Sequence, residues 1–557
     1  MKRFLWLGLA GLVYLICTGC GDTFRPIIIP NPPQFPNPAA AHTVLSINDN
    51  GTVVAGTAMV IDVSGDTDVS IANVGLAPVH AVQQSASVVL VANHSVSGAL
   101  ADSVTKLNYR GTVISTTNTI TLPANSAPNF VATTEASQAY VLLPNLASVG
   151  VLNTNLNTLI ATMPVGNLPD AMAETPNGQK LYVANQADNT ISGFNTSDRS
   201  SRTVTGSFDG PLWVLARSDS QRLYVLNGNG VVSTVDTTST AGPDNVIDAS
   251  VNVPGAIYML YDGNLNRLYI PWFSQSAMQG QFTMLDVSQS VPTVITGAPI
   301  TIAPILPSAR AQGDVCSTFS PSAVIPAAVA SLPDGSRAYV GSYAEFQVNV
   351  NITGAVPANG VTTYNYSLQG TIDLLPGMNI TISNVDSTGS PTGTPPSDFD
   401  GTFVILSVGG GTFQVANSPT DTYLSGGAGA AANICPQVTV INAVSNTIMS
   451  SFALPGVPAY DAFCSTTRFR ATMAAGGDSS RAYFASCDGG VVDIIDTATE
   501  SYFLNLAEPI GTRPPIPPNS SAASTWVADS SLSPAISMFI WFRKGLRFAR
   551  SLVTNSE

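Results

Sequence analysis

Histidine is almost absent from this chain: three residues, His42, His80 and His94, in 557. So few imidazoles leave little material for acid–base catalysis or a multi-histidine metal site, and all three read as scattered loop or core residues. Charge is scarce as well, at 10% of residues against about 25% in average soluble proteins. Basic side chains are the rarer sign, 21 against 35 acidic, for a net charge of −14. A phosphate backbone would be repelled, so nucleic acid is excluded as a partner. There is no nucleophile elbow, no phosphate-binding glycine loop and no metal-spaced cluster, and no cofactor is expected. The apolar run from Phe4 to Ile16 is too short to span a bilayer comfortably.

That run has a different use. Lys2 and Arg3 precede it and Cys17-Thr18-Gly19-Cys20 ends it, which is the plan of a secretory signal with a charged start and a short apolar middle. The ending resembles the lipobox of bacterial lipoproteins, in which a small residue precedes a cysteine that is acylated and becomes the new N-terminus. The resemblance assigns lipidation to Cys20 and 1–20 to the signal peptide, and implies a protein of the bacterial cell envelope, lipid-anchored, periplasmic or at the cell surface. One position departs from the pattern: Cys17 stands where the family usually has Leu. Gly21, rather than Asp, follows Cys20, which permits outer-membrane sorting. Residues 21–41 form a tether, and the six prolines between Asp22 and Pro38 favour a polyproline spacer that reaches about 50 Å.

Such a length requires several domains or a fold that grows by repetition. A Tyr-Val strand recurs: Tyr140-Val141, Tyr182-Val183, Tyr224-Val225, Tyr269-Ile270, Tyr339-Val340 and Tyr483-Phe484, with Leu90-Val91 as a tyrosine-free copy. The unit is roughly 42 residues long. A turn rich in Asp, Asn, Ser and Gly precedes each copy, as in Pro176-Asn177-Gly178-Gln179 and Pro333-Asp334-Gly335-Ser336. A short strand introduced by Gly or Pro lies upstream, as at Gly166-Asn167-Leu168-Pro169, and a third ending in Asp or Asn lies downstream, as at Val232–Asp236. Several short strands per unit with turns at fixed offsets describe a propeller blade. Over residues 70–505 the chain resembles the YVTN-type β-propeller repeat family, WD40-like in architecture, which implies an all-β fold and leaves function open.

Seven units predict seven blades, with 42–344 and 435–510 as the first and last parts of the propeller. Met59–Val63 reads as the third strand of an incomplete unit that completes the last blade and closes the ring. Residues 345–434 interrupt unit six between its second and third strands; their alternating apolar and polar residues predict a small inserted β module. Asp398, Asp400 and Gly401 are read there as turn residues, since no series of acids at calcium-ligand spacing is present. Ser207-Phe208-Asp209-Gly210 with Trp213 is likewise read as a turn, its glycine falling one position early for a sialidase Asp-box.

Four cysteines remain beyond the signal, Cys316, Cys435, Cys464 and Cys487, an even number in an exported chain, and three pairings are possible. Propeller strand order puts the segment leading into a blade on the same face as the loop between its second and third strands. That order pairs Cys316 with Cys435 and Cys464 with Cys487. The same face receives the insertion and the long segment from Ser288 to Pro321, and is the expected binding surface. Residues 511–557 read as a Pro-rich linker and a basic, aromatic tail. On a helix Phe539, Phe542, Leu546 and Ala549 share one stripe beside Arg543, Arg547 and Arg550, which suits either a lipid interface or a tail without fixed structure. The expected function is a binding or scaffold module for a glycan or protein partner. The alternative is a propeller hydrolase of the lactonase type, which needs acid–base groups or a metal converging at the ring centre.

Overall fold

The computed structural model describes residues 43–507 and 524–529, apart from 50–53, 86, 95–101, 111–112, 134–136, 313, 371, 391–395, 458–470 and 487–490. Each of the seven predicted units forms a blade. Blade three shows the pattern: Pro169–Glu174 is the innermost strand, followed outward by Lys180–Asn185, Thr190–Asn195 and Ser201–Arg202. In every blade the Tyr-Val strand is the second, and the six tyrosines at 140, 182, 224, 269, 339 and 483 are fully buried. They point into the packing between neighbouring sheets, which is the apolar burial that holds such units together.

The local chemistry repeats with the strands. Before the second strand, Asn177, Asp219, Asp334 and Asp478 each accept the backbone N–H two residues on. After the third, Asn153, Asp236, Asp286, Asn442 and Asp496 do the same. These are Asx turns, and six of the chain's 35 acidic side chains serve in them at these positions. Asn93, Asn185 and Asn227 end their strands and accept from the backbone of the segment leading in: Gly75 N at 3.0 Å, Gly166 N at 3.1 Å and Asp209 N at 3.1 Å. A Cβ on Gly166 would lie 2.8 Å from Asn185 Cγ and one on Gly75 2.5 Å from Asn93 Cγ, so at these two positions only glycine leaves room for the brace.

The expected closure needs correcting. Ala55–Asp62 does form a third strand, but the last blade has its own in Val491–Asp496. Thr43–Asp49, Ala55–Asp62 and Thr67–Leu76 instead build a further sheet between blade seven and blade one, and Ser524–Asp529 supplies its innermost strand. The ring thus joins seven repeat blades through one composite sheet drawn from both ends of the repeat array, and takes a strand from the stretch read as linker and tail.

The insertion has no boundary with its blade. The second strand of blade six runs unbroken over Arg337–Ala358 and the third over Ala428–Asn442, paired from Arg337↔Asn442 to Asn351↔Ala428. Beyond the blade these two strands join Val361–Leu368, Thr412–Val415, Gly401–Gly409 and Asn379–Ser383 in a cycle of antiparallel pairs. The module is therefore a closed six-stranded barrel, and closure leaves it no free edge. Its interior is filled by Ile380, Ile405, Phe399, Phe413 and Tyr364, with the Tyr364 and Phe413 rings stacked at 5.1 Å.

Candidate functional site

Two excursions meet on one face of blade six: the barrel and the segment leading into the blade. Cys316 and Cys435 form a disulfide, joining residues 119 apart in sequence with Cα atoms 5.8 Å apart. Around it Ile305 N donates to Gln437 Oε1 at 2.9 Å and Gln437 Nε2 donates to Ala303 O at 2.8 Å. Asp314 takes Cys316 N at 2.7 Å on one oxygen and Gly456 N at 2.8 Å on the other. Arg310, 9% exposed, donates to the carbonyls of Leu454 and Pro436. Burial lowers its guanidinium pKa, and the Asp314 carboxylate opposes that shift. Phe319 stacks on Phe346 at 4.4 Å, at the root of the barrel. A buried, cross-linked collar thus fixes how the barrel leaves the ring.

Because the barrel interior is packed, only its outer surface is open to solvent. Residues 345–434 contain no lysine or arginine, and Val404, Leu406 and Leu424 lie about half exposed on them. Asp398, Asp400 and Asp421 accept backbone N–H groups of Thr420, Val385 and Gly389. They fasten loops, as turn residues do. Among the described residues no group of three or more His, Cys, Asp and Glu could hold a metal.

At the inner edge of the ring, aromatic side chains meet in series. His80 stacks on Phe130 at 3.9 Å, Phe130 meets Trp213 edge-on at 5.8 Å, and Trp213 meets Tyr258 at 5.6 Å. His80 is 3% exposed and its Nδ1 accepts the Val131 N–H at 3.2 Å, which makes it a core histidine. His94 does gather a carboxylate and a serine, but in the wrong order for nucleophilic catalysis. Asp102 sits between them, 3.2 Å from His94 Nδ1 and 3.0 Å from Ser126 Oγ, whereas a triad needs the imidazole in the middle. Burial raises the Asp102 pKa, and bonds from His94, Ala127 N and Ser126 outweigh it, leaving the group below the usual carboxylate range. Asp209 lies in the turn before Pro211–Ala216, its N–H held by Asn227. His42, Cys20, Cys464, Cys487 and the 534–553 tail lie outside the described residues.

Sequence reading missed the role of the cations. The residue two before the tyrosine is Lys180, Arg222, Arg267, Arg337 or Arg481 in five units, and each crosses to the next sheet. Lys180 reaches Asp244 at 3.1 Å, Arg222 reaches Ser290 O, Arg267 reaches Asn446, Arg337 reaches Glu500 and Arg481 reaches Asp66. The regular spacing was the available signal. A shallow groove of about 410 Å³ between Thr67–Leu76 and Val113–Thr121 is lined by Asn73, Thr105, Thr116 and Thr119, without charge.

Strand order and the collar together define the class: an all-β propeller carrying a β-barrel module on blade six. No protein-family profile matches the chain, and no curated protein matches it in sequence. Among solved structures it is similar to a functionally unknown protein from Desulfotomaculum acetoxidans (12% identity, 53% of this chain and 88% of that one, TM-score 0.39). A protein from Lactobacillus plantarum matches at 12% identity over 69% and 99%, TM-score 0.37. A putative 6-phosphogluconolactonase from Bacteroides fragilis matches at 13% over 54% and 90%, TM-score 0.38.

Proposed function

We propose that the chain is a lipid-anchored protein of the bacterial cell envelope, built on YVTN-type repeats, whose propeller acts as a binding or scaffold module. Cys20 carries the lipid, and the decorated face of blade six meets a glycan or protein partner. The observation that carries the reading is the collar of Cys316–Cys435, Arg310, Asp314 and Gln437. It spends a disulfide and a buried cation on holding a solid barrel at a fixed attitude. Such rigidity serves presentation of an outer surface.

The test compares the full chain with one in which Ala344 is joined to Cys435 through an Asn-Gly turn, as baits in envelope extracts and on glycan arrays. A ligand retained by the first and lost by the second is the expected result. Equal binding by both would reject the barrel as the recognition element. A rise in Tm with a lactone or a divalent metal would move the assignment to the hydrolase. For the anchor, labelled palmitate is expected on the full chain and absent from Cys20→Ser.

A further inference from the structure

Blade one and the composite sheet each end outward in a long strand, Val113–Thr121 and Thr67–Leu76. Two hydrogen bonds tie these strands together: Ile114 N donates to Ser70 Oγ at 3.1 Å, and Thr116 Oγ1 donates to Asn73 O. The walls of the groove of about 410 Å³ between them are therefore fixed before any ligand arrives. Its floor is apolar, made of the buried Ala72, Val74 and Ile114. Its rim is polar: Asn73, Ser115 and Thr119 are exposed there, and their side chains have no hydrogen-bond partner among the described residues. Thr105 supplies a donor at depth. It is 1% exposed, and its Oγ1 accepts from Gly75 N at 3.2 Å and from Asn93 Nδ2 at 3.0 Å. Both lone pairs of the oxygen are thus taken, and the hydroxyl hydrogen has no acceptor among the described residues. A buried donor left without an acceptor is costly, and a ligand oxygen would relieve it.

We propose that this groove binds a neutral mono- or disaccharide. No charged side chain lines it, so nothing there repays the desolvation of an ionic ligand. A wholly apolar ligand would cover Thr105 and the rim without giving their polar atoms a partner. A peptide adding as a strand would need edge groups, and Ile114 N and Asn73 O are already taken by Ser70 and Thr116. A sugar ring meets both demands: its C–H face lies on the apolar floor while its hydroxyls reach Thr105 and the rim. The volume falls near the lower end of the about 300–1,000 Å³ usual for small-molecule sites, which limits the occupant to a few rings at most. The groove lies between blade one and the composite sheet, whereas the barrel stands on blade six. It therefore needs neither the lipid nor recognition by the barrel.

The test applies saturation-transfer NMR and calorimetry to the full chain, with methyl glucoside, maltose and diacetylchitobiose as probes. Glucuronate serves as the charged control and cyclohexanol as the apolar one. Binding of at least one neutral sugar, tighter than either control, is expected. Asn73→Ala with Thr119→Ala should weaken it about tenfold, through the loss of two rim hydrogen bonds. Both side chains are exposed and unpartnered among the described residues, so the Tm of this variant should match the wild type and exclude misfolding. Ser115→Trp, which fills the mouth of the groove, should abolish binding. Absence of binding by every neutral sugar, tighter binding of cyclohexanol, or a Kd unchanged in both variants would overturn the proposal. A sugar that is lost when Ala344 is joined to Cys435, yet kept by the groove variants, would also overturn it and place the glycan on the barrel. Retention of the sugar by the chain without the barrel, whatever the fate of the barrel's own partner, supports the groove.

Discussion

Asp244 shows how the few charges are used. It is fully buried between blades three and four, where it accepts from Lys180 at 3.1 Å, Arg202 at 3.0 Å and Tyr182 at 2.7 Å. Burial lowers the Lys180 pKa while Asp244 opposes the shift. Asp244→Ala leaves two buried cations without their carboxylate and is expected to cost about 3–5 kcal/mol, read from urea unfolding. A loss under about 1 kcal/mol would mean that the neighbouring carbonyls suffice. Asp493 is the opposite case. Ser192 and Ser233 hold the same position in blades three and four and accept from Asn185 and Asn227. In blade seven the asparagine is replaced by Ser486, and Asp493 Oδ1 has no hydrogen-bond partner among the described residues. Burial pushes its carboxyl up to about 8. The folded state therefore holds a proton that the unfolded chain has released above about pH 4. The resulting stability is complete at low pH and is lost as pH rises toward 8, by up to about 1.4 kcal/mol per unit. Asp493→Asn removes that dependence, so its Tm should overtake that of the wild type progressively from pH 5 to pH 8. A constant difference would show that Asp493 is ionised throughout. These roles were illegible in sequence because each depends on what a neighbouring strand or blade presents.

At the scale of elements, the repeat strands were legible because each carries its own signal: a turn residue, a buried Tyr-Val pair and alternation of faces. The alternation in 345–434 showed strands too, but parity fixes which side chains point inward and not which strands pair. Val361–Leu368 pairs with Thr412–Val415 across more than forty residues, and no local signal announces it. The Cys316–Cys435 pairing was legible from strand order alone. Its partner prediction, Cys464 with Cys487, is open to peptide mapping under non-reducing conditions; a Cys464–Cys487 peptide is the expected result, and free thiols at both would refute it. Because the barrel closes on itself, its core does not depend on the disulfide. Cys316→Ala with Cys435→Ala should lower overall stability by about 2–5 kcal/mol through the collar. In hydrogen exchange the amides of 305–319 should lose protection while those of 361–366 and 402–405 keep theirs. Loss of protection across both segments would mean that the disulfide holds the barrel itself together.

For the whole molecule the decisive element is the least legible one. Ser524–Asp529 has no Tyr-Val signal, comes after a Pro-rich stretch, and belongs to a sheet whose other strands lie more than 440 residues upstream. Its place in the ring is set by what would otherwise be left open. Without it Thr43–Asp49 presents an unpaired edge at the innermost position of the composite sheet, and Ala471–Ala475 of blade seven loses the strand it packs on there. Closure by strands from both ends makes the two halves of the array mutually dependent, since neither end completes its sheet alone. Two shortened chains separate this role from that of the tail. One ending at residue 530 keeps the closing strand and should melt with the full chain. One ending at 520 lacks it and should melt lower, by about 1 °C for each kcal/mol lost in a fold of this size, with faster exchange of the amides at 44–48. Equal melting of the two would remove Ser524–Asp529 from the ring.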